Sequence, residues 1–305
     1  MIEVLYQMAG LVLCGIGWQL FKPAGLSPAE TRKVLTSVVY YVLLPALVLI
    51  VLWKADLSTR PVLIAVSAVS GIVAGFLLGL LSCRVCRNSR AEAGALILAM
   101  AFPNATYLGL PVLEATFGSW ARGIAIQYDL FACTPLLFTV GVLFAARMGN
   151  SNESRASLVS GLFRIPPMWA AIIAVGLNLA EVPVPAVLEG LLDLLGRGVV
   201  PLMLFSLGLS LEWSSSRWRL LPSLVPVLII SLFLVPLVVW AVASMLGMQG
   251  EVLAAVVLEA AMPSMVLGIV LCDRFKLDAG LYAAAVTLTT AMSLVTLPLW
   301  YGWLT

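Results

Sequence analysis

The chain has 305 residues, of which 62% are apolar and only 10% are charged, and its net charge is +2. A soluble domain carries about 25% charged residues, so this composition indicates an integral membrane protein and argues against a soluble domain. The small net charge and the lack of any basic run in the sequence argue against a nucleic-acid partner. Cys83 and Cys86 have the spacing of a redox or zinc pair, but the sequence contains no histidine, so we predict no cofactor.

Ten apolar stretches are long enough to cross a bilayer, which takes roughly 20 mainly apolar residues. They cover residues 4–21, 34–53, 61–82, 92–117, 120–146, 166–186, 193–212, 218–246, 251–272 and 280–304. Glu3 precedes the first of them where a signal peptide would have lysines, so we expect this stretch to remain as a span. The predicted fold is therefore an all-α integral membrane protein with ten transmembrane helices.

The basic residues divide unequally between the two sides of such a protein. Ten spans place the odd-numbered loops on one side and the even-numbered loops, with both termini, on the other. Of the 17 lysines and arginines, only Lys54, Arg60 and Arg122 lie on the even side, Arg197 lies within or beside span seven, and the rest lie on the odd side. The positive-inside rule then predicts cytoplasmic odd loops and external termini.

The two halves of the sequence resemble each other. Leu43-Leu44-Pro45-Ala46-Leu47 in span two is similar to Val199-Val200-Pro201-Leu202-Met203 in span seven, and each precedes a second proline, Pro103 or Pro263, by a similar distance. Because five spans per half is an odd number, the second repeat must run inverted, which is a common plan of transporters. We therefore predict a first repeat at 1–147, a cytoplasmic linker at 148–165 and an inverted second repeat at 166–305.

Spans four and nine each contain a proline near their middle. Proline removes a backbone donor and clashes with the preceding turn, and freed backbone groups at membrane depth must face protein or a watery cavity. We predict that both helices break, at Pro103 to Gly109 and at Pro263 to Gly268, and that the half-helix ends face each other at mid-membrane. The alternative is that both prolines only kink continuous helices.

Polar residues beside these breaks indicate a site for a small anion. The amino terminus of a half-helix presents free N–H groups and roughly half a positive charge, which suits a carboxylate. Asn104, Thr106 and Ser264 add neutral donors, and Asn178 lies deep in span six. The predicted substrate-binding residues are Pro103, Asn104, Thr106, Tyr107, Pro263, Ser264 and Asn178.

Two acidic residues lie inside predicted spans. Glu259 is in span nine, one helical turn before Pro263, and Asp129 is in span five. At about 1.5 Å per residue both are roughly 12–14 Å deep. An ionisable group at that depth is costly unless it is paired, neutral or hydrated, so we predict that both residues couple transport to a proton or another cation. The alternatives are a permanently protonated packing residue and a carboxyl bonded to a neighbouring hydroxyl.

Residues Asn104 to Leu113 end in Gly-Leu-Pro-Val-Leu and resemble the span-four signature of the auxin efflux carrier family, whose bacterial members include malonate and other organic-acid transporters. The resemblance extends over essentially the whole chain through Leu44-Pro45-Ala46-Leu47, Val200-Pro201-Leu202, Ala260-Ala261-Met262-Pro263 and Thr296-Leu297-Pro298-Leu299-Trp300. It implies two inverted five-span repeats, crossing helices four and nine that are broken at their midpoints, and a scaffold of spans one, two, six and seven.

The same resemblance implies a small anionic carboxylate as substrate, and it puts Pro103, Asn104 and Pro263 at the crossover. Glu259 and Asp129 match no motif of the family, so their predicted role depends on burial alone. The central loop of this chain is short, unlike that of the plant members. Regulation through that loop is therefore not expected.

These observations predict a secondary active transporter of a mono- or dicarboxylate in a bacterial inner (plasma) membrane, working by an elevator or rocking motion, with a proton as the candidate coupling ion. One alternative is a sodium-coupled organic-anion symporter of the bile-acid type, with Glu259, Asn104, Thr106 and Ser264 as sodium ligands. A membrane-embedded enzyme is disfavoured because the chain has no histidine and no paired-aspartate motif. The expected partners are the bilayer, the carboxylate and an H+ or Na+ ion, and a homodimer stays open.

Overall fold

The computed structural model describes residues 2–54, 60–149, 166–210 and 221–305. Helices account for nearly all of them and no strand is present in these ranges, which confirms the all-α class. The helices are α1 (Ile2–Phe21), α2 (Pro28–Trp53), α3 (Arg60–Val85), α4 (Arg90–Ala101), α5 (Leu110–Phe117), α6 (Ala121–Met148), α7 (Pro166–Leu179), α8 (Ala186–Arg197), α9 (Val199–Ser210), α10 (Pro222–Met245), α11 (Gly250–Ala260), α12 (Gly268–Phe275) and α13 (Ala279–Leu304).

Six stretches within the described ranges are long and apolar enough to cross a membrane. They are α2, α3, α6, α10 and α13 together with the α8–α9 stretch Ala186–Leu209. Shorter apolar helices are present at Gly10–Phe21 and Pro166–Leu179. The chain is therefore a multi-pass membrane protein. The predicted linker 148–165 lies outside the described residues except for its first two positions.

The two apolar stretches with central prolines are each interrupted. α4 ends at Ala101, and a π turn, Ala105–Gly109, leads into α5. α11 ends at Ala260, and α12 begins at Gly268. We call residues 102–109 the first interruption and residues 261–267 the second interruption.

Prolines also explain most of the described π turns, although the one at Leu137–Gly141 within α6 has no proline after it. The π turns that start at Val39, Ala105, Asp129 and Ile230 are followed by Pro45, Pro111, Pro135 and Pro236 respectively, each at the second position of the next α-helical segment. A proline has no N–H for the carbonyl four residues earlier, and its ring clashes with that carbonyl. The wider π turn relieves the clash, and such turns occur often at functional sites.

The prediction that span six continues to residue 186 is wrong. α7 ends at Leu179, Glu181 adopts a left-handed conformation with φ of 54°, and α8 begins only at Ala186. Pro183 and Pro185 lie between these helices and cannot donate to a continuing helix. Asn178 therefore lies at the end of a helix and not deep within a span.

The helices form two groups that pack mainly among themselves. α1 packs on α9, and α2 packs on α7 and α8. The second group contains α3 to α6 and α10 to α13, with α3 against α4 and α10, and α11 against α6, α10 and α13. Glycines allow the closest approaches in both groups: a Cβ on Gly15 of α1 would lie 2.9 Å from the Cα of Gly208 in α9, and one on Gly75 of α3 would lie 2.6 Å from the Cα of Ala101.

Candidate functional site

The two interruptions pair with each other through their backbones. The amide of Asn104 donates to the carbonyl oxygen of Pro263 at 2.7 Å, and the amide of Met265 donates to that of Phe102 at 3.0 Å. Pro103 and Ser264 thereby form an isolated antiparallel bridge. Each interruption thus satisfies backbone groups that the other leaves free, as buried irregular backbone in a membrane protein requires.

Ser264 fixes this pairing to two further elements. Its amide donates to the hydroxyl of Thr289 in α13 at 3.1 Å, and its own hydroxyl donates to the carbonyl oxygen of Ala99 in α4 at 2.7 Å. The residue is fully buried. Its side chain is therefore already engaged, so Ser264 positions the interruptions in this conformation. Thr289 was not among the predicted site residues, because it lies far from Ser264 in sequence.

The side-chain amide of Asn104, unlike the Ser264 hydroxyl, is not engaged. Only 1% of the residue is exposed, and among the described residues its side-chain Nδ2 has no hydrogen-bond partner. Its backbone oxygen accepts from the amides of Leu108 and Gly109, which belong to the π turn that leads into α5. A buried donor without an acceptor costs about 1–3 kcal/mol, so this amide marks a place where an additional acceptor is needed.

Two carboxyl groups flank the π turn Ala105–Gly109. Asp129 of α6 accepts hydrogen bonds from the hydroxyls of Thr106 and Thr134, the latter at 3.1 Å. Glu259, in the last turn of α11, is fully buried and contacts Gly109, where an added Cβ would lie 2.6 Å from Oε1 and 2.7 Å from Cδ. Neither oxygen of Glu259 has a hydrogen-bond partner among the described residues. From the sequence, Glu259 was expected beside the break of span nine and Asp129 only at a similar depth in span five, so the contact of Asp129 with the first interruption was not predicted.

The remaining predicted site residues have different surroundings. Tyr107 is partly buried and packs against the hydrophobic core. The Asn178 side chain donates to the carbonyl oxygens of Trp53 at 2.7 Å and Leu52 at 3.2 Å. Both carbonyls lie in the last turn of α2, where that of Leu52 also accepts from the C-cap amide of Lys54. Asn178 therefore caps α2.

Two cavities lie where the two groups of helices meet. One, of about 540 Å³, is lined by the end of α2, the first half of α6 and the second half of α8. Its polar lining residues are Lys54, Ser119, Arg122, Gln127 and Asp193. The other, of about 420 Å³, lies among α1, α5, α8 and α9. Arg122 lines both cavities and pairs with Glu114 of α5, while Lys54 pairs with Glu189 of α8. Volumes of this size accommodate small molecules.

Gln127 connects the larger cavity to the interior. It is 5% exposed, lines the cavity, and its Oε1 has no partner among the described residues. Asp129 follows two residues later on α6, beside the π turn of the first interruption. Within one turn of α6, Gln127 therefore lines the cavity and Asp129 contacts the first interruption. Arg122 and Gln127 were not predicted as site residues.

A model of the family described as membrane transport protein matches residues 7–301. The chain is 32% identical to an uncharacterized transporter of Methanothermobacter thermautotrophicus over 95% of this chain and 94% of the relative. It is 26% identical to an uncharacterized transporter of Methanocaldococcus jannaschii over 96% and 95% of the two chains. It is 24% identical to the uncharacterized transporter YfdV of Escherichia coli K12 over 70% and 69%.

The family match, residues 7–301, includes both interruptions. The family and the relatives are transporters, which removes the alternative of a membrane-embedded enzyme. The chain therefore belongs to the membrane transport protein family, the auxin efflux carrier family that its motifs resemble, and it is a membrane transporter.

Proposed function

We propose that the protein is a secondary active transporter of a small organic anion, a mono- or dicarboxylate, bound where the two interruptions pair. The observation that carries this proposal is the buried side-chain amide of Asn104, which has no acceptor among the described residues. A carboxylate oxygen is the acceptor that such a donor lacks, and a charge-assisted hydrogen bond is stronger than a neutral one.

The backbone around Asn104 supports an anionic ligand. The first amides of a helical segment have no intrahelical acceptor and carry the positive end of the helix dipole. The π turn begins directly after Asn104 and leads into α5, and α12 begins directly after the second interruption. An anion between these starts interacts favourably with both. Pro103, Thr106, Tyr107, Pro263 and Ser264 then form the walls of the site, and Asn178 is left out because its amide caps α2.

The proposed architecture is ten spans in two inverted five-span repeats. Six membrane-length stretches, two shorter apolar helices and two interrupted stretches make up that number. The two interruptions occupy corresponding positions, in spans four and nine, and we propose that these spans cross there. The group of α1, α2 and α7 to α9 would serve as the scaffold, against which the other helices move as an elevator or by rocking. The cavities between the two groups are the proposed access route.

Coupling to an ion is proposed at Glu259 and Asp129, which flank the π turn beside Asn104. A proton is the leading candidate because Glu259 is buried without a partner among the described residues. The observation that supports the sodium-coupled alternative is the Asp129 carboxyl, which the hydroxyls of Thr106 and Thr134 both contact. We place the protein in a bacterial inner membrane with both termini external, and the choice between a monomer and a homodimer stays open.

The test is uptake into proteoliposomes of purified protein. A panel of radiolabelled mono- and dicarboxylates, malonate among them, is presented with a proton gradient or a sodium gradient imposed separately. We expect uptake of at least one carboxylate, competition by its close analogues, and dependence on one of the two gradients. Uptake of a cation or a neutral solute with no carboxylate transported would overturn the proposal.

A further inference from the structure

The two carboxyls beside the π turn are held in different ways. Asp129 accepts hydrogen bonds from Thr106 and Thr134, so its charged form has donors. Glu259 is fully buried, and among the described residues neither of its oxygens has a donor. A buried carboxylate without donors or a counterion is far costlier than a protonated carboxyl in the same place. The conformation of this structure therefore fits Glu259 only in its protonated form.

Among the residues that the structure describes, no lysine or arginine interacts with Glu259. The titratable groups that interact with it are Asp129, Tyr128 and Cys133, all of them on α6. α10, which packs on α11, has no titratable side chain in Val235–Met245. The other elements packed on α11 bring Tyr107 from the π turn, Glu114 of α5 paired with Arg122, Tyr282 of α13 bonded to Met265, and Cys83 and Arg84 at the end of α3.

Gly109 connects Glu259 to the substrate site. The carboxyl lies so close to Gly109 that an added Cβ would be 2.6 Å from its Oε1 atom unless the carboxyl moved. The amide of Gly109 in turn donates to the backbone oxygen of Asn104 at 2.9 Å. A shift of the Glu259 carboxyl away from Gly109 therefore acts on the turn that holds Asn104, while Asp129 holds the same turn through Thr106.

In this conformation, the side-chain amide of Asn104 has no acceptor among the described residues, and the buried carboxyl of Glu259 requires a proton. We infer that Glu259 is a proton-binding site whose occupancy closes the substrate site, so that one proton and one carboxylate cross together. The proton is taken from water on one face, is held on a Glu259 carboxyl oxygen packed against Gly109, and is released to water on the other face when the turn opens. Asp129 acts as a positioning residue. This inference rests on the proposed transport of a carboxylate.

A contact test needs no substrate. Gly109→Ala places a methyl group against the Glu259 carboxyl, whereas Glu259→Ala removes that carboxyl. We expect Gly109→Ala to lower the apparent Tm of the purified protein by roughly 3 °C or more in the Glu259 chain and to have no such effect in the Glu259→Ala chain. Gly176→Ala is the control, because an added Cβ there meets nothing within 4 Å. Equal Tm losses from Gly109→Ala in both chains would overturn the proposed contact.

The coupling test uses malonate, or the best carboxylate of the panel if malonate is not transported, in proteoliposomes. Exchange without a gradient tests the proposed function, and accumulation under a pH gradient tests the inference. With one proton per substrate and the membrane potential held at zero, a gradient of one pH unit supports at most about a tenfold accumulation of a mono- or dianion. We expect Glu259→Gln to retain exchange, with a rate that no longer depends on pH, and to accumulate no substrate. We expect Asp129→Asn to raise KM for exchange and to keep the wild-type accumulation ratio.

The outcomes separate the two ideas. Wild-type protein that exchanges no carboxylate contradicts the proposed function, whatever the Tm measurements show. Wild-type exchange together with wild-type accumulation by Glu259→Gln under the same gradient leaves the proposed function intact and overturns the inference. Loss of accumulation in Asp129→Asn but not in Glu259→Gln would assign the proton to Asp129 and would also overturn it.

Discussion

The hydroxyl of Ser264 occupies the hydrogen-bonding place that Pro103 leaves empty. In a continuous helix the carbonyl oxygen of Ala99 would accept from the amide of residue 103, but proline has no N–H. Ser264 donates to that oxygen instead, at 2.7 Å, from the other interruption. The break in one stretch is therefore completed by a side chain of the other.

We expect Ser264→Ala to destabilise the pairing of the interruptions. The substitution leaves the Ala99 carbonyl buried without its donor, which costs about 1–3 kcal/mol. The apparent Tm of the purified protein should fall, and KM for carboxylate uptake should rise because Asn104 lies in the same pairing. Thermal unfolding and uptake kinetics measure the two effects.

Ser231→Ala is the matched control for this prediction. Ser231 is also buried, but its hydroxyl donates to Val227 within the same helix at 2.7 Å. Replacing it should therefore change KM little. An equal rise in KM from both serine variants would contradict the role assigned to Ser264.

Asn104→Ala should abolish or strongly weaken carboxylate binding while the protein keeps its thermal stability. The reason is that the Nδ2 atom has no partner among the described residues, so its removal breaks no such contact of the substrate-free protein. Loss of one charge-assisted hydrogen bond corresponds to about 1.5–3 kcal/mol, or a rise in Kd of roughly ten- to more than a hundredfold. Equilibrium binding and thermal unfolding of the same preparation check both statements.

Asn178→Ala is the comparison variant for Asn104→Ala. Its amide donates to Leu52 and Trp53, so the variant should lose thermal stability through the uncapped end of α2 and keep its carboxylate affinity. A large loss of affinity with normal stability would restore Asn178 as a substrate ligand, as the sequence predicted. Unchanged affinity in Asn104→Ala would remove Asn104 from the site.

Arg122 should matter for access of the anion rather than for its final binding. The guanidinium lines both cavities between the two groups of helices and pairs with Glu114. We expect Arg122→Gln to raise KM for uptake several-fold and to weaken the salt dependence of the uptake rate, because steering of a charged solute is screened by salt. Arg197→Gln, which changes the lining of only the smaller of these two cavities, is the comparison. Equal effects of both substitutions would argue against a special role for Arg122.

The charge distribution predicts external termini. A cysteine in a tag after Thr305 should react with an impermeant thiol reagent on intact cells, and a cysteine replacing Arg155 in the predicted linker should not. The natural cysteines are first replaced, starting with Cys14 and Cys86, which are exposed. The reverse labelling pattern would contradict the orientation or the number of spans.

The membrane class and the places of the two interruptions could be predicted from the sequence alone. Both depend on local chemistry: apolar stretches of membrane length partition into the bilayer, and Pro103 and Pro263 cannot donate to a helix wherever they lie. The same reasoning applies to the end of α7. There Pro183 and Pro185 cannot continue the helix, so it ends at Leu179, seven residues before the end of the predicted span.

The contacts that define the candidate site depended on the tertiary structure. Ser264 and Ala99 are 165 residues apart in the chain, and Asn178 and Leu52 are 126 apart. No local pattern indicates which buried donor finds an acceptor, so Ser264 and Asn178, both predicted as substrate ligands, prove to be engaged with backbone carbonyls, and Asn104 does not. Burial depth predicted Glu259 and Asp129 alike, because depth is a property of position along a span. Only the packing of α6 and α11 on the π turn distinguishes a carboxyl with two donors from a carboxyl with none among the described residues.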